Sequence, residues 1–284
     1  MNLKEIITST KAYNFHSHTQ FCDGRASMAE FVEEAVKEGY LHYGFTPHSP
    51  IPFQSPCNME MEQVDEYFNE FNRLKNLYKD KINLYISMEI DYLGNQWGAT
   101  NPYFKNLPLD YRLSSVHFIP TPAGDRMIDI DGRPESFIQK MHEHFNDDIH
   151  YVVDTFYDHT MQMIESGGFD VLGHFDKIGF NASHFQPGIE DEDWYIDHID
   201  RVIEKLKSTN FIVEINTKAW EAPVNSTEEQ IKSYTPRLFP SPCTIAKLLD
   251  AGIPLMVNSD THYPFRLNSG RQAAFDIMDR LKGR

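Results

Sequence analysis

Cysteine is scarce in this chain: Cys22, Cys57 and Cys243 are the only three in 284 residues. They are odd in number, widely spaced and in no C-x-x-C pair, which argues against a disulfide framework and for a reducing compartment. Basic residues are also short, 26 Lys and Arg against 42 Asp and Glu, leaving a net charge of -16. Such a surface repels polyphosphate and anionic lipid, so the sequence predicts neither a nucleic-acid nor a membrane partner. It leaves open a small anionic substrate held by metal. No apolar run approaches membrane-spanning length, and the opening Met-Asn-Leu-Lys-Glu-Ile-Ile lacks the apolar stretch of a signal peptide. A cytoplasmic protein is expected. There is no internal repeat, low-complexity tract or linker, so residues 1–284 read as a single domain of about the size of one α/β barrel. Nothing in the pattern speaks to oligomeric state.

What is present is a strict alternation of short β-rich runs with amphipathic helical stretches. The runs are Tyr13–His18, Tyr43–His48, Ile82–Asp91, Arg112–Ile119, Phe169–Phe175, Phe211–Thr217 and Leu255–His262. The clearest helix follows the first run: Ser27 caps it, Glu30 sits at the capping-box position and Gly39 ends it. Helical spacing also marks Asn58–Tyr78, Ile149–Ser166, Trp194–Ser208, Ser241–Ala251 and Gly270–Lys282. Seven strands with helices between them predict a parallel sheet closed into a barrel. The irregular stretches 94–110, 120–146 and 218–240 read as loops over one barrel face.

The 13 histidines are not scattered. His16 and His18, alternate residues that share one side of an extended strand, end the first run. His48 ends the second, Glu89 lies in the third, and His117, His174, Asp260 and His262 close the fourth, fifth and seventh. In a parallel barrel the C-terminal strand ends face one mouth, where barrel active sites are built. Asp23, in the loop after the first run, adds a carboxylate. These nine groups exceed the capacity of one ion, so two or three divalent ions are implied, and imidazole mixed with carboxylate suits zinc, iron or manganese. Glu89, with two oxygens among the histidines, is the natural bridge. A hydroxide bridging neighbouring ions would be a nucleophile, and the ions would clamp a phosphoryl or acyl oxygen, so hydrolysis is the expected chemistry.

The run Phe15-His-Ser-His-Thr-Gln-Phe-Cys-Asp-Gly, followed by Thr-Pro-His48-Ser, Met-Glu89-Ile-Asp, Ser-Ser-Val-His117-Phe, Leu-Gly-His174-Phe-Asp and Asn-Ser-Asp260-Thr-His262, resembles in order the motifs of the polymerase and histidinol phosphatase (PHP) family. The wording around His117 and His174, with Glu-Ile-Asn-Thr and Phe-Pro-Ser-Pro, is most similar to the histidinol-phosphate phosphatase branch. The resemblance implies a distorted (β/α)7 TIM-like barrel with a trinuclear site, hydrolysing L-histidinol phosphate to L-histidinol and phosphate in histidine biosynthesis. An alternative is another small phosphate ester, such as a nucleotide or sugar phosphate. By position, it puts His16, His18, Glu89 and Asp260 on a first ion, Glu89, His117 and His174 on a second, and Asp23, His48 and His262 on a third. Some relatives carry histidine at the position of Asp23.

The leaving alkoxide needs a proton, and Asp260 or His262 is the expected source. Lys177, Arg237 and Arg266 are candidates for a cation that holds the phosphate. Glu214, alternating inward with Asn216, is expected to pair with a barrel lysine or a substrate ammonium. His142 and His144 imitate the opening pair, but no β-rich run leads into them, and they are read as a solvated loop or helix edge. His42, His159, His184 and His198 lie away from strand ends. Trp220 is a candidate for covering a substrate ring.

Overall fold

The computed structural model describes residues 1–283. Its strands are β1 (Tyr13–Asn14), β2 (His42–Phe45), β3 (Asn83–Ile86), β4 (Glu89–Asp91), β5 (Leu113–Ser115), β6 (Phe118–Pro120), β7 (Met127–Asp129), β8 (Val171–Leu172), β9 (Ile212–Asn216) and β10 (Leu255–Asn258). Apart from the antiparallel hairpin β6–β7, every pairing is parallel: β1-β2-β3 form one sheet and β4-β5-β8-β9-β10 another. β3 and β4 are two halves of the third run, one paired to β2 and the other to β5. Two isolated parallel bridges, His48 with Glu89 and Ser17 with Thr261, carry the circuit around seven runs. Among the described residues no continuous ladder joins β1 to β10, and in that sense the (β/α)7 barrel is distorted.

The strands read as near-continuous apolar runs because a parallel sheet is covered on both faces. Phe45, Leu113, Val171, Val213, Ile215 and Val257 are all buried. The helix Met28–Lys37 forms where the sequence signals it: Ser27 Oγ accepts from Glu30 N and the Glu30 carboxylate accepts from Ser27 N, closing the capping box. Met28, Phe31, Val32 and Ala35 line its buried face, and Gly39 beyond it takes the left-handed φ of +78° that disfavours a side chain.

The stretches expected to be loops carry more regular structure than anticipated. Helices Pro102–Asn106, Pro134–His144 and Glu228–Ser233 lie within them, as does β7. Pro134 at the first helical position and buried Phe137 and Met141, four residues apart, explain the second of these. His142 and His144 fall on that helix, where i and i+2 side chains diverge; His142 instead meets Asp147 at 2.5 Å.

A candidate metal centre

The nine predicted groups converge at the C-terminal ends of the strands. Glu89 is the hub. Its Oε2 lies 3.2 Å from His16 Nε2, 3.4 Å from His18 Nε2 and 3.1 Å from His48 Nδ1. Its Oε1 lies 2.9 Å from His174 Nε2 and 3.4 Å from His117 Nε2. Asp260 Oδ1 sits 3.0 Å from His18 Nε2 and 3.7 Å from His16 Nε2. Asp23 Oδ1 sits 3.2 Å from His262 Nε2, 3.6 Å from His18 Nδ1 and 3.9 Å from His48 Nε2. Four overlapping groupings have ligand atoms close enough to share an ion: His16, His18 and Asp260; His16, Glu89 and His174; His48, Glu89 and His117; and His18, Asp23, His48 and His262.

Whether cations suit this cluster can be tested on its buried oxygens. Asp23 Oδ1, Glu89 Oε2 and Asp260 Oδ1 are buried and accept no hydrogen bond. A dry carboxylate oxygen that accepts no hydrogen bond costs several kcal/mol, and here each faces chiefly imidazole nitrogens. A divalent ion among them satisfies oxygens and imidazole lone pairs at once. Burial works to raise the Glu89 carboxyl, but His16, His117 and His48 outweigh it and hold it well below the usual range. Burial, reinforced by His262 and His48, keeps His18 well below its ordinary value, hence neutral, the ligating form. Asp260 adopts a left-handed φ of +47°, a conformation costing about 1 kcal/mol that aspartate tolerates better than most residues. Gly24 lets the loop return beneath Asp23: a Cβ there would lie 2.3 Å from Thr19 N.

Carboxylates behind the histidines set their orientation. Glu214 Oε1 accepts from His16 Nδ1 at 2.7 Å and from Asn258 at 2.9 Å, while Oε2 accepts from the His174 amide at 3.1 Å and from Asn216 at 3.0 Å. Asp91 Oδ1 accepts from His117 Nδ1 at 2.7 Å. Both contacts fix the tautomer that leaves Nε2 free for a metal. The expected lysine or ammonium partner of Glu214 is replaced by His16, because the carboxylate points along the barrel interior toward β1. Glu214→Gln places an amide N–H where donors already converge; metal affinity measured by competition with a chelator should fall about 10–100-fold.

The three candidate cations part company. Lys177 Nζ is bound 2.6 Å from Asp131 Oδ2 and, despite burial, is held above its ordinary value by Asp131, with Asp260 and Glu89 adding to the pull. Arg237 grips Glu190 with two bonds, and Arg266 donates to the Ala222 carbonyl; neither makes a hydrogen bond or ion pair with the nine groups among the described residues. Lys218 escaped the sequence reading: its Nζ lies 3.3 Å from His262 Nε2 and 3.6 Å from Asp260 Oδ1. Its signal was position alone, directly after the sixth run.

A cavity of about 1010 Å³ is lined among others by Asp176, Phe180, Tyr195, Trp220 and Arg237 and by none of the nine groups. Trp220 packs there, over Gly270. Burial pushes the Asp176 carboxyl up to about 7, with Arg237 opposing and Glu190 adding to the rise. An acid raised above its unfolded value contributes fully at low pH and loses that contribution as pH climbs through about 7. Asp176→Asn removes the titration, so in thermal melts its Tm should gain on the wild type between pH 5 and pH 8.

Residues 14–218 match the family described as the PHP domain. A protein named probable histidinol-phosphatase from Schizosaccharomyces pombe is 25% identical over 281 residues, covering 93% of this chain and 85% of its own. A Listeria monocytogenes structure described as a candidate histidinol phosphatase superposes with a TM-score of 0.74 at 18% identity, covering 92% of this chain and 99% of that one. Histidinol phosphate phosphatase from Lactococcus lactis, solved with zinc, L-histidinol and phosphate, superposes at 0.65 and 21% identity over 95% and 94%. No helix among the described residues is long and apolar enough to cross a membrane.

Proposed function

The chain belongs to the PHP domain family, and from that premise we propose that it is a metal-dependent phosphomonoesterase that hydrolyses L-histidinol phosphate to L-histidinol and phosphate. The observation that carries the reading is the set of nine ligand-type groups, with three buried carboxylate oxygens that accept no hydrogen bond, assembled at one barrel mouth. His16, His18, Asp23, His48, Glu89, His117, His174, Asp260 and His262 would hold two or three ions of zinc, iron or manganese. Ions there would supply Lewis-acid polarisation of the phosphoryl oxygens and activate water as the nucleophile.

The residues of the chain do the rest. Glu89, with one oxygen toward each side of the cluster, keeps the two groups of imidazoles in register. Lys177, fixed by Asp131, and Lys218 offer positive charge to the non-bridging phosphate oxygens as negative charge shifts onto them. For the proton that the leaving alkoxide needs, the Lys218 ammonium, 3.3 Å from His262 Nε2 and 3.6 Å from Asp260 Oδ1, is the nearest source, with His262 placed to relay it; the Asp260 carboxyl, held well below its usual range by Lys218, His16 and His18 despite burial, would position that donor rather than give up a proton itself. The free thiols and the acidic surface accord with a cytoplasmic enzyme acting on small molecules.

The test is phosphate release from L-histidinol phosphate by metal-loaded protein beside a panel of nucleotides and sugar phosphates. A kcat/KM at least about 100-fold higher for histidinol phosphate, or ~2.7 kcal/mol of discrimination, is expected. Comparable or better turnover of a nucleotide or sugar phosphate would retain the chemistry and replace the substrate.

A further inference from the structure

The barrel circuit is weakest between its first and last strands, and that junction lies under the metal ligands. Among the described residues β1 and β10 share no ladder; just beyond them lie one isolated bridge, Ser17 with Thr261, and two backbone bonds, His18 N to Thr261 O at 2.9 Å and Arg25 N to His262 O at 2.8 Å. Side chains occupy the place of the missing ladder. Phe15 N donates to Asn258 Oδ1 at 2.9 Å, Ser259 N to Asn14 Oδ1 at 2.8 Å and Val257 N to Tyr13 Oη at 3.2 Å. Arg271, first residue of the helix Arg271–Lys282, spans the junction: it donates to Val257 O at 2.6 Å on one side and to Lys11 O at 3.2 Å and Tyr13 O on the other. It also donates to Asn14 Oδ1 at 3.3 Å. This guanidinium is 4% exposed, has no carboxylate within ion-pair distance among the described residues, and is packed against the rings of Tyr13, Tyr40 and Phe275. A charge buried without a counter-charge is expensive unless its hydrogen bonds are filled; here carbonyls of both strands fill them.

The stitches lead directly to the ligands. Asn14 Nδ2 donates to His16 O at 2.8 Å, while its Oδ1 holds the amide of Ser259, the residue before Asp260. Asn258 Nδ2 donates to Glu214 Oε1, the oxygen that orients His16. His16 and His18 extend from β1, and Asp260 follows β10, so their shared grouping straddles the junction; His48, Glu89 and His117 do not.

We infer that Asn14, Asn258 and Arg271 are positioning residues that set the spacing of the ligands across the β1–β10 junction, and that an ion held by His16, His18 and Asp260 closes the barrel there in return. The inference rests on the metal-centre reading but needs no particular substrate, so it stands or falls apart from histidinol phosphate turnover.

The first measurement uses the unaltered chain. Hydrogen exchange is compared between metal-loaded and chelator-stripped protein, and the amides of Phe15, Val257 and Ser259 should slow at least about ten-fold on loading, more than those of β5 and β8. Equal protection in both states, or protection spread evenly over all strands, would overturn the closing role. The second uses Arg271→Lys, which keeps the charge but not the fork that reaches both strands. Titration with a chelator should show the most readily lost metal equivalent weakened at least ten-fold, the remainder unchanged, and excess metal restoring the wild-type content. A Tm loss of the same size in stripped and loaded protein, with metal affinities unaltered, would mark Arg271 as structural only. If Arg271→Lys does not fold, the milder Asn258→Ser is titrated in the same way and judged by the same two outcomes.

Discussion

Glu89→Ala is expected to lower kcat/KM for phosphate release by at least about 10³-fold, equivalent to ~4 kcal/mol of transition-state stabilisation, and to reduce the metal retained after gel filtration. The reason lies in its contacts. One carboxylate faces five imidazoles, His16, His18 and His48 through one oxygen and His117 and His174 through the other. Its removal leaves each group of histidines without the anion that makes a dication welcome among neutral ligands. Glu89→Gln separates charge from volume: it fills the same space but turns N–H donors toward nitrogens that must remain free. It should therefore fail nearly as badly. Activity within about ten-fold of wild type in either variant, at unchanged metal content, would contradict a bridging role.

The second large effect is on stability. Stripping the protein with a chelator should lower its Tm by about 10 °C or more and abolish turnover, both recovering on addition of zinc or manganese. A ligand present at 1,000 times its Kd adds about 4 kcal/mol to the folded state. For a chain of this size that corresponds to a shift of roughly 2–4 °C per kcal/mol, and more than one ion compounds it. The buried oxygens of Asp23, Glu89 and Asp260 that accept no hydrogen bond locate the origin of the effect. A Tm indifferent to chelation would mean that the cluster tolerates its own charge without ions.

Much of this was legible in the sequence because barrel chemistry imposes a simple placement rule. Ligands must sit at the C-terminal ends of parallel strands, and an alternating strand allows His16 and His18 to share a side; the recurrence at successive strand ends then exposes the cluster. The sixth strand, which offers no ligand, supplies Glu214 instead, and its role was not legible. An inward glutamate suits an ammonium, a lysine or an imidazole equally well, and only the fold brings His16 to it from 198 residues away. Asn14, Asn258 and Arg271 were hidden for the same reason, since their partners lie across the closure of the barrel. The helix Pro134–His144 was a different kind of omission. Its proline start and its Phe137–Met141 spacing were local signals, masked by the polar residues between them. Arg237, attractive as a phosphate-binding cation for its place in a loop near the mouth, is engaged by Glu190, a contact no local pattern announces.

The central claim is that Glu89 joins ions within one polynuclear centre. Crystals of the metal-loaded protein, measured at the absorption edge of the bound metal, test it most directly. Two or three anomalous peaks are expected among the nine groups, with nitrogen and oxygen ligands at about 2.0–2.2 Å and the two oxygens of Glu89 on different ions. A single peak that Glu89 does not touch, or peaks outside the barrel mouth, would contradict the account.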